Sequence, residues 1–204
     1  MSNKVLGILA SGRGSNMQVI LENINAGRIA GNIGVVISDY ANAKVLEYAT
    51  AAGIPAICIE RKNFATKQEF EGAIADQLVH YKVELVVLAG FMRILSGYFI
   101  NLFSGRIMNI HPSLLPAFPG LHAHQQVLDY GAKVSGCTIH FVDEGMDTGP
   151  IIMQQAVAVL PDDTADVLAQ RIIKAEHALY SEAIALYCEG RLCIEGRNVK
   201  IIGG

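Results

Sequence analysis

Short runs of β-branched and aliphatic residues recur at 5–10, 33–38, 56–59, 85–89 and 106–110, and the segments between them carry apolar residues at helical spacing. Alternation of this kind predicts βαβ units and a mainly parallel sheet. The strand runs are almost continuously apolar, as they must be when helices cover both faces of a sheet. The pattern therefore predicts a doubly wound α/β fold.

After Gly131 the pattern changes. Two strand-like runs, 134–142 and 151–159, are separated by Asp143-Glu144-Gly145-Met146-Asp147-Thr148-Gly149-Pro150, which has no helical period. Strands joined by so short a loop are antiparallel neighbours. A long helix is predicted over about 164–189, because Leu168, Ile172, Ala175, Leu179, Ala183 and Leu186 repeat at steps of three and four. Thr164 is placed to cap it and Gly190 to end it. With no internal repeat, low-complexity tract or linker, the chain reads as one domain over 1–204, with a phosphate-binding half at about 1–100 and a catalytic half at about 101–204.

Composition narrows the function. The 204 residues are 51% hydrophobic and 17% charged, with a net charge of -3 and no cluster of Lys or Arg. Such a surface offers no footprint for a nucleic-acid backbone or an anionic membrane, so the expected partners are small molecules. The N-terminal apolar stretch is too short for a signal peptide, and no segment approaches the ~20 apolar residues of a membrane span. A cytoplasmic protein, monomeric or homodimeric, is expected. Cys58, Cys137, Cys188 and Cys193 have neither metal spacing nor a disulfide framework and read as reduced, mostly buried thiols.

The first strand runs into Ser11-Gly12-Arg13-Gly14-Ser15-Asn16 and then a helix, which Ser15 or Asn16 is expected to cap. Free N–H groups and the helix dipole make this an anion site. The loop begins like the dinucleotide fingerprint GxGxxG, but Met17 occupies the third glycine position, and the GK[ST] ending of a triphosphate loop is absent. A single phosphomonoester on Gly14, Ser15 and Asn16 is preferred over NAD. Asp39, after the second strand, keeps the NAD-dependent oxidoreductase reading open, and an ordinary Gly-rich turn is the other alternative.

The segment Arg106-Ile107-Met108-Asn109-Ile110-His111-Pro112 is the most informative. A buried strand there carries Asn and His two positions apart, hence on one face, at the carboxyl end where open α/β sheets bind ligands. An amide donor beside a protonatable ring suits a carbonyl oxygen that gains negative charge, which is acyl-transfer chemistry. The imidazolium needs a carboxylate, and Asp147, 36 positions after His111, is the candidate, with Asp143 and Glu144 as competing acids. No GxSxG elbow occurs, so direct attack by the substrate is expected instead of a covalent enzyme intermediate. His122 and His124 lack HExxH spacing, and no metal is expected.

Four blocks, 11–16, 88–95, 109–116 running on through Phe118-Pro119-Gly120-Leu121-His122, and 136–150, resemble in order those of the folate-dependent formyltransferases. The resemblance implies a Rossmann-like formyltransferase fold with antiparallel C-terminal strands. It implies transfer of the formyl group of 10-formyltetrahydrofolate, as co-substrate, to the amine of glycinamide ribonucleotide in purine synthesis. Asn109, His111 and Asp147 match the catalytic positions; Gly14, Ser15, Asn16 and Glu176 the ribonucleotide contacts; Lys67, Met92, Arg93, Ile94, Leu95 and Asn109 the folate contacts. Lys67 stands where the family can carry Arg near the folate tail, and helical periodicity alone places Glu176 on the surface. Ser181 stands where relatives carry Pro, with only a local effect on the helix expected. A formyltetrahydrofolate hydrolase or a methionyl-tRNA formyltransferase would carry a further domain, and a non-catalytic binding module leaves Asn109 and Asp147 without a purpose.

Overall fold

A computed structural model describes residues 3–203. The chain divides into two compact units, one up to Asn109 and one from Ile110 onward.

In the first unit, strands β1 (Lys4–Leu9), β2 (Gly31–Ser38), β3 (Ala56–Cys58) and β4 (Leu85–Leu88) are joined through helices α1 (Ser15–Asn25), α2 (Lys44–Ala51) and α3 (Lys67–His80). A short helix α4 (Gly97–Leu102) then leads into β5 (Ile107–His111), whose last residues open the second unit. All pairings are parallel, in the order β3-β2-β1-β4-β5. The order reverses between β1 and β4, so the loops leaving their carboxyl ends open at the switch point where such sheets bind ligands. The core confirms the apolar runs: Leu6, Ile8, Leu9, Val35, Val36, Ile37, Leu85, Val86 and Val87 are fully buried. Burial of that kind stabilises by about 25 cal/mol per Å² of apolar surface and is what holds a sheet covered on both faces. Gly7 lets α3 lie close to β1, since a Cβ there would stand 2.6 Å from Leu78 Cδ2.

In the second unit, α5 (Ala123–Tyr130) precedes β6 (Val134–Phe141) and β7 (Ile151–Ala158), which pair antiparallel as expected. Helix α6 (Ala165–Cys188) runs unbroken, with the Thr164 side chain accepting from Val167 N at 3.3 Å and Gly190 following the end at φ +70°. Ser181 donates its hydroxyl to the His177 carbonyl at 2.9 Å, the local adjustment expected. The strands β8 (Leu192–Glu195) and β9 (Asn198–Ile201) form a hairpin not foreseen from the sequence, turned through Gly196 at φ +60°. Such a two-residue turn needs a positive φ, which glycine supplies at little cost.

Among the described residues no helix is long and apolar enough to cross a membrane. None of the four cysteines is in a disulfide among the described residues, but only Cys137 and Cys188 are buried; Cys193 is half-buried and Cys58 exposed, because β3 is an edge strand. Burial, and next the Glu176 carboxylate, push the Cys137 thiol up to about 12, so it stays protonated and inert.

Candidate active site

The first loop departs from expectation in its cap. Gly14, not Ser15 or Asn16, takes the N-cap position of α1, at φ 77° and without a side-chain cap. A Cβ on Gly14 would stand 2.8 Å from the Val45 side chain, so only glycine fits both the left-handed backbone and the contact with α2. Ser15 and Asn16 thus become the first two helical residues, where backbone N–H groups have no intrahelical acceptor; the first helical bond is Gln18 N to Gly14 O at 3.0 Å. The buried Oδ1 of Asn16 has no protein partner, which marks a position shaped for something other than packing. Met17 fills with its side chain the space that a third glycine would leave for close helix packing; it is fully buried.

The segment 90–96, leaving β4, is held at three points within the same unit. Ser11 N donates to the Gly90 carbonyl at 3.0 Å, and Ser11 Oγ accepts from Met92 N at 2.9 Å. Arg93 Nε donates to Asp39 Oδ2 at 2.6 Å. Glu71, buried on α3, accepts from both the amide and the hydroxyl of Ser96, which in turn caps α4. Between these ties Met92 and Ile94 are 63% and 64% exposed, while Leu95 is buried. A loop tied at these points, presenting apolar side chains and backbone polar groups, suits a flat heteroaromatic ligand. Lys67, the first residue of α3, lies 3.8 Å from Glu71 through its ammonium, so its charge faces the carboxylate that holds Ser96.

Asp39 decides against the dinucleotide reading. Its side chain has no exposure and is engaged by Arg93, which also lies over the Tyr40 ring at 5.9 Å. A ribose-binding acid must face the ligand crevice, and this one is spent on a neighbouring loop.

The first unit ends at Asn109, and the second unit brings His111 and Asp147 together. Asn109 is half-buried on β5 and His111, two positions on along the same strand, is buried. His111 Nδ1 lies 3.3 Å from Asp147 Oδ2, and its Nε2 lies 2.9 Å from the Phe118 carbonyl. A carbonyl only accepts, so Nε2 carries a proton. With Nδ1 protonated as well, the ring donates to an acceptor on each side; a neutral ring would turn a lone pair on the carboxylate. Both ring nitrogens of His111 thus face an oxygen.

Asp147 itself is held by backbone. Gly120 N donates to its Oδ2 at 2.7 Å, and its own φ is +54°. Phe118 and His122 also have left-handed backbones, at φ 55° and 58°. Such residues cost about 1–3 kcal/mol each and cluster where function constrains the chain. One loop, 113–122, thus touches both members of the pair: Phe118 the histidine and Gly120 the aspartate.

That loop is tied to β6 and β7. The Thr138 hydroxyl donates to the Ser113 carbonyl at 2.7 Å and accepts from Leu115 N at 3.0 Å and Gln154 Nε2 at 2.9 Å. Gln154 Nε2 also donates to the Leu115 carbonyl at 2.9 Å, and the Ser113 hydroxyl is shared between the carbonyls of Ala117 and Phe118. The Leu115-Pro116 peptide bond is cis.

His140, buried on β6, places Nε2 3.8 Å from Asp147 Oδ1 and Nδ1 2.9 Å from the Phe141 carbonyl. Burial lowers its pKa below the ordinary imidazole value, outweighing the pull of Phe141 and Asp147 the other way. The register shifts between Ile139 and His140, an irregularity of the kind that re-aims side chains beside active sites.

The competing acids separate cleanly. Asp143 accepts from Gly145 N at 3.2 Å and Thr148 Oγ1 at 2.6 Å and shapes the turn, while Glu144 is exposed. Glu176 is not a surface charge, contrary to periodicity; it is 9% exposed, because α6 buries a face broad enough to include Ala175, Glu176, Leu179 and Tyr180 together. Among the described residues no three His, Cys, Asp or Glu side chains are grouped to hold a metal; His122 is the N-cap of α5.

The sequence reading did not find Ser11, Ser113, Phe118, Gly120, Thr138 or His140. Thr138 and His140 carried a signal, being polar residues two apart that alternate with Cys137, Ile139 and Phe141. Phe118 and Gly120 act through backbone atoms and carried none.

A family model described as formyl transferase matches residues 4–184. Curated relatives include the trifunctional purine biosynthetic protein adenosine-3 of Drosophila melanogaster, 46% identical over 193 residues; the match covers 94% of this chain and 14% of that protein. The chain thus spans about a seventh of that multifunctional relative. The phosphoribosylglycinamide formyltransferase of Bacillus subtilis is 44% identical over 181 residues, covering 89% of this chain and 93% of the relative. Among solved structures, glycinamide ribonucleotide transformylase 1 of Symbiobacterium toebii superposes with a TM-score of 0.97 at 50% identity, over 99% of this chain and 95% of that one.

Proposed function

The chain belongs to the formyl transferase family, and on that premise we propose that it moves the formyl group of 10-formyltetrahydrofolate onto the amine of glycinamide ribonucleotide, as an enzyme of purine synthesis working in the cytoplasm. The observation that carries the reading is the buried His111 ring set between the Asp147 carboxylate and the Phe118 carbonyl.

In this reading the substrate amine attacks the formyl carbon, and the carbonyl oxygen becomes an oxyanion held by Asn109 and the His111 imidazolium. Nε2 exchanges its bond to Phe118 for one to that oxygen, while Asp147 keeps Nδ1 protonated. The carbon–nitrogen bond to the folate then breaks, and the proton lost by the amine reaches the departing folate nitrogen directly or through water. Products are the formylated amine and tetrahydrofolate. Gly14, Ser15 and Asn16 hold the phosphate, and Glu176 contacts the ribonucleotide. Met92, Arg93, Ile94 and Leu95 line the folate, with Asn109 and, towards its tail, Lys67. No step calls for a metal.

The test follows folate absorbance with both substrates present. Turnover that requires the ribonucleotide supports transfer. Equal turnover without it would make the protein a hydrolase and overturn the proposal.

A further inference from the structure

Ser11 is a residue of the anion loop, yet both of its hydrogen-bonding groups at the main contact face the 90–96 segment. Its N–H donates to Gly90 O at 3.0 Å and its hydroxyl accepts from Met92 N at 2.9 Å. These two bonds bracket Gly90, at φ 75°, and link the loop to the segment that exposes Met92 and Ile94. On its other side the anion loop is seated on α2, through Val45 N to Gly12 O at 3.2 Å and the close packing of Gly14 on Val45. The loop from Ser11 to Asn16 is therefore a short strap with one end on α2 and the other on the 90–96 segment. Both loops leave the sheet at its switch point, one after β1 and one after β4, which are neighbouring strands.

We propose that Ser11 is a positioning residue that couples the two substrates: ribonucleotide bound to the anion loop orders Ser11, and Ser11 in turn orders the folate-lining segment through Gly90 and Met92. This rests on the assignment of the phosphate to Gly14, Ser15 and Asn16 and of the folate to 92–95. A ligand that removes motion from one loop lowers the entropy that a second ligand must spend to order the other, and the coupling is reciprocal. The contact consists of two hydrogen bonds, one of them to a side chain, so a single substitution removes the side-chain half without altering either loop's sequence otherwise.

The experiment measures the dissociation constant of a folate analogue that cannot release its formyl group, with and without saturating glycinamide ribonucleotide. In the unaltered protein the ribonucleotide should tighten the analogue by about 5-fold or more, the lower range of measured site-to-site couplings. In Ser11→Ala the factor should fall towards one, with each ligand still binding alone, and Ser11→Thr, which keeps the hydroxyl, should restore it. A factor of one in the unaltered protein, or an unchanged factor in Ser11→Ala, overturns the coupling. Failure of the ribonucleotide to bind at all sinks the assigned function instead, so the two are distinguishable. Amide exchange in the unaltered protein supplies a measurement independent of any variant's folding. The Met92 N–H should exchange more slowly when ribonucleotide is bound, and no change there also overturns the proposal.

Discussion

Arg93 and Asp39 form a 2.6 Å ion pair in which the carboxylate is wholly buried and the guanidinium lies partly exposed over Tyr40. The pair ties the segment after β4 to the end of β2, and the carboxylate has no second protein partner on Oδ1. Removing the cation leaves a buried charge uncompensated, which costs more than the pair contributes. Arg93→Ala is expected to lose about 3 kcal/mol of stability in urea unfolding. Adding Asp39→Asn to that variant should recover part of the loss, since the orphaned charge goes with it. Arg93→Lys should recover little, because an ammonium cannot lie flat on the Tyr40 ring and meet the same oxygen.

In the proposed mechanism His111→Ala should lower kcat by about 10²–10³ with the fold intact, the loss expected from one oxyanion donor. In the proposed mechanism His111 and Asp147 act through one contact, so the double variant His111→Ala/Asp147→Ala should be little worse than the worse single one. Independent, multiplying losses in steady-state kinetics would show that Asp147 does not act through His111.

Thr138 predicts a second kind of loss. Thr138→Val keeps the shape but strands the Leu115 N–H and the Ser113 carbonyl, at a cost of about 2 kcal/mol. The 113–122 loop should loosen with it, lowering kcat beyond what the fall in stability explains at a temperature where the protein stays folded. Thr138→Ser, which keeps the hydroxyl, should restore most of the rate.

How far these positions were legible follows from which atoms do the work. Asn109, His111 and Asp147 stand out in the sequence because their side chains interrupt an apolar strand and a loop of acids and glycines. The parallel strands were visible because burial on both faces leaves long apolar runs. Gly14 as a cap, Gly120 as the donor to Asp147 and Phe118 as the acceptor from His111 were not, since backbone groups are the same in every residue. Periodicity alone puts Glu176 on the surface, because a helix with a broad buried face defeats a simple periodicity. The β8–β9 hairpin was missed because its strands are short and half exposed, with too little apolar alternation to stand out from a tail.

The last prediction concerns acid. His140 faces Asp147, His111 and Asp143, and burial is the largest influence on it, lowering its pKa from 6.5. His124, on α5, is lowered as well, by burial first and then by His111. A histidine whose pKa is lower folded than unfolded binds more protons in the unfolded chain, so stability rises with pH through that interval. Acidification from pH 6.5 down to the folded pKa values should therefore cost stability, with no further loss from these two groups below them. The lowered carboxylates act in a different window: Glu84 contributes stability that is lost only as pH falls below 4.5, and Asp163, held at about 2 by Arg171, only below 3.8. Loss of stability just below pH 6.5 thus belongs to histidine. His140→Asn keeps a donor for the Phe141 carbonyl and removes one of the two titrations, so its unfolding free energy should fall less steeply over that interval than that of the unaltered protein. An unchanged slope in urea unfolding between pH 6.5 and 5 would mean that His140 is not kept neutral by burial.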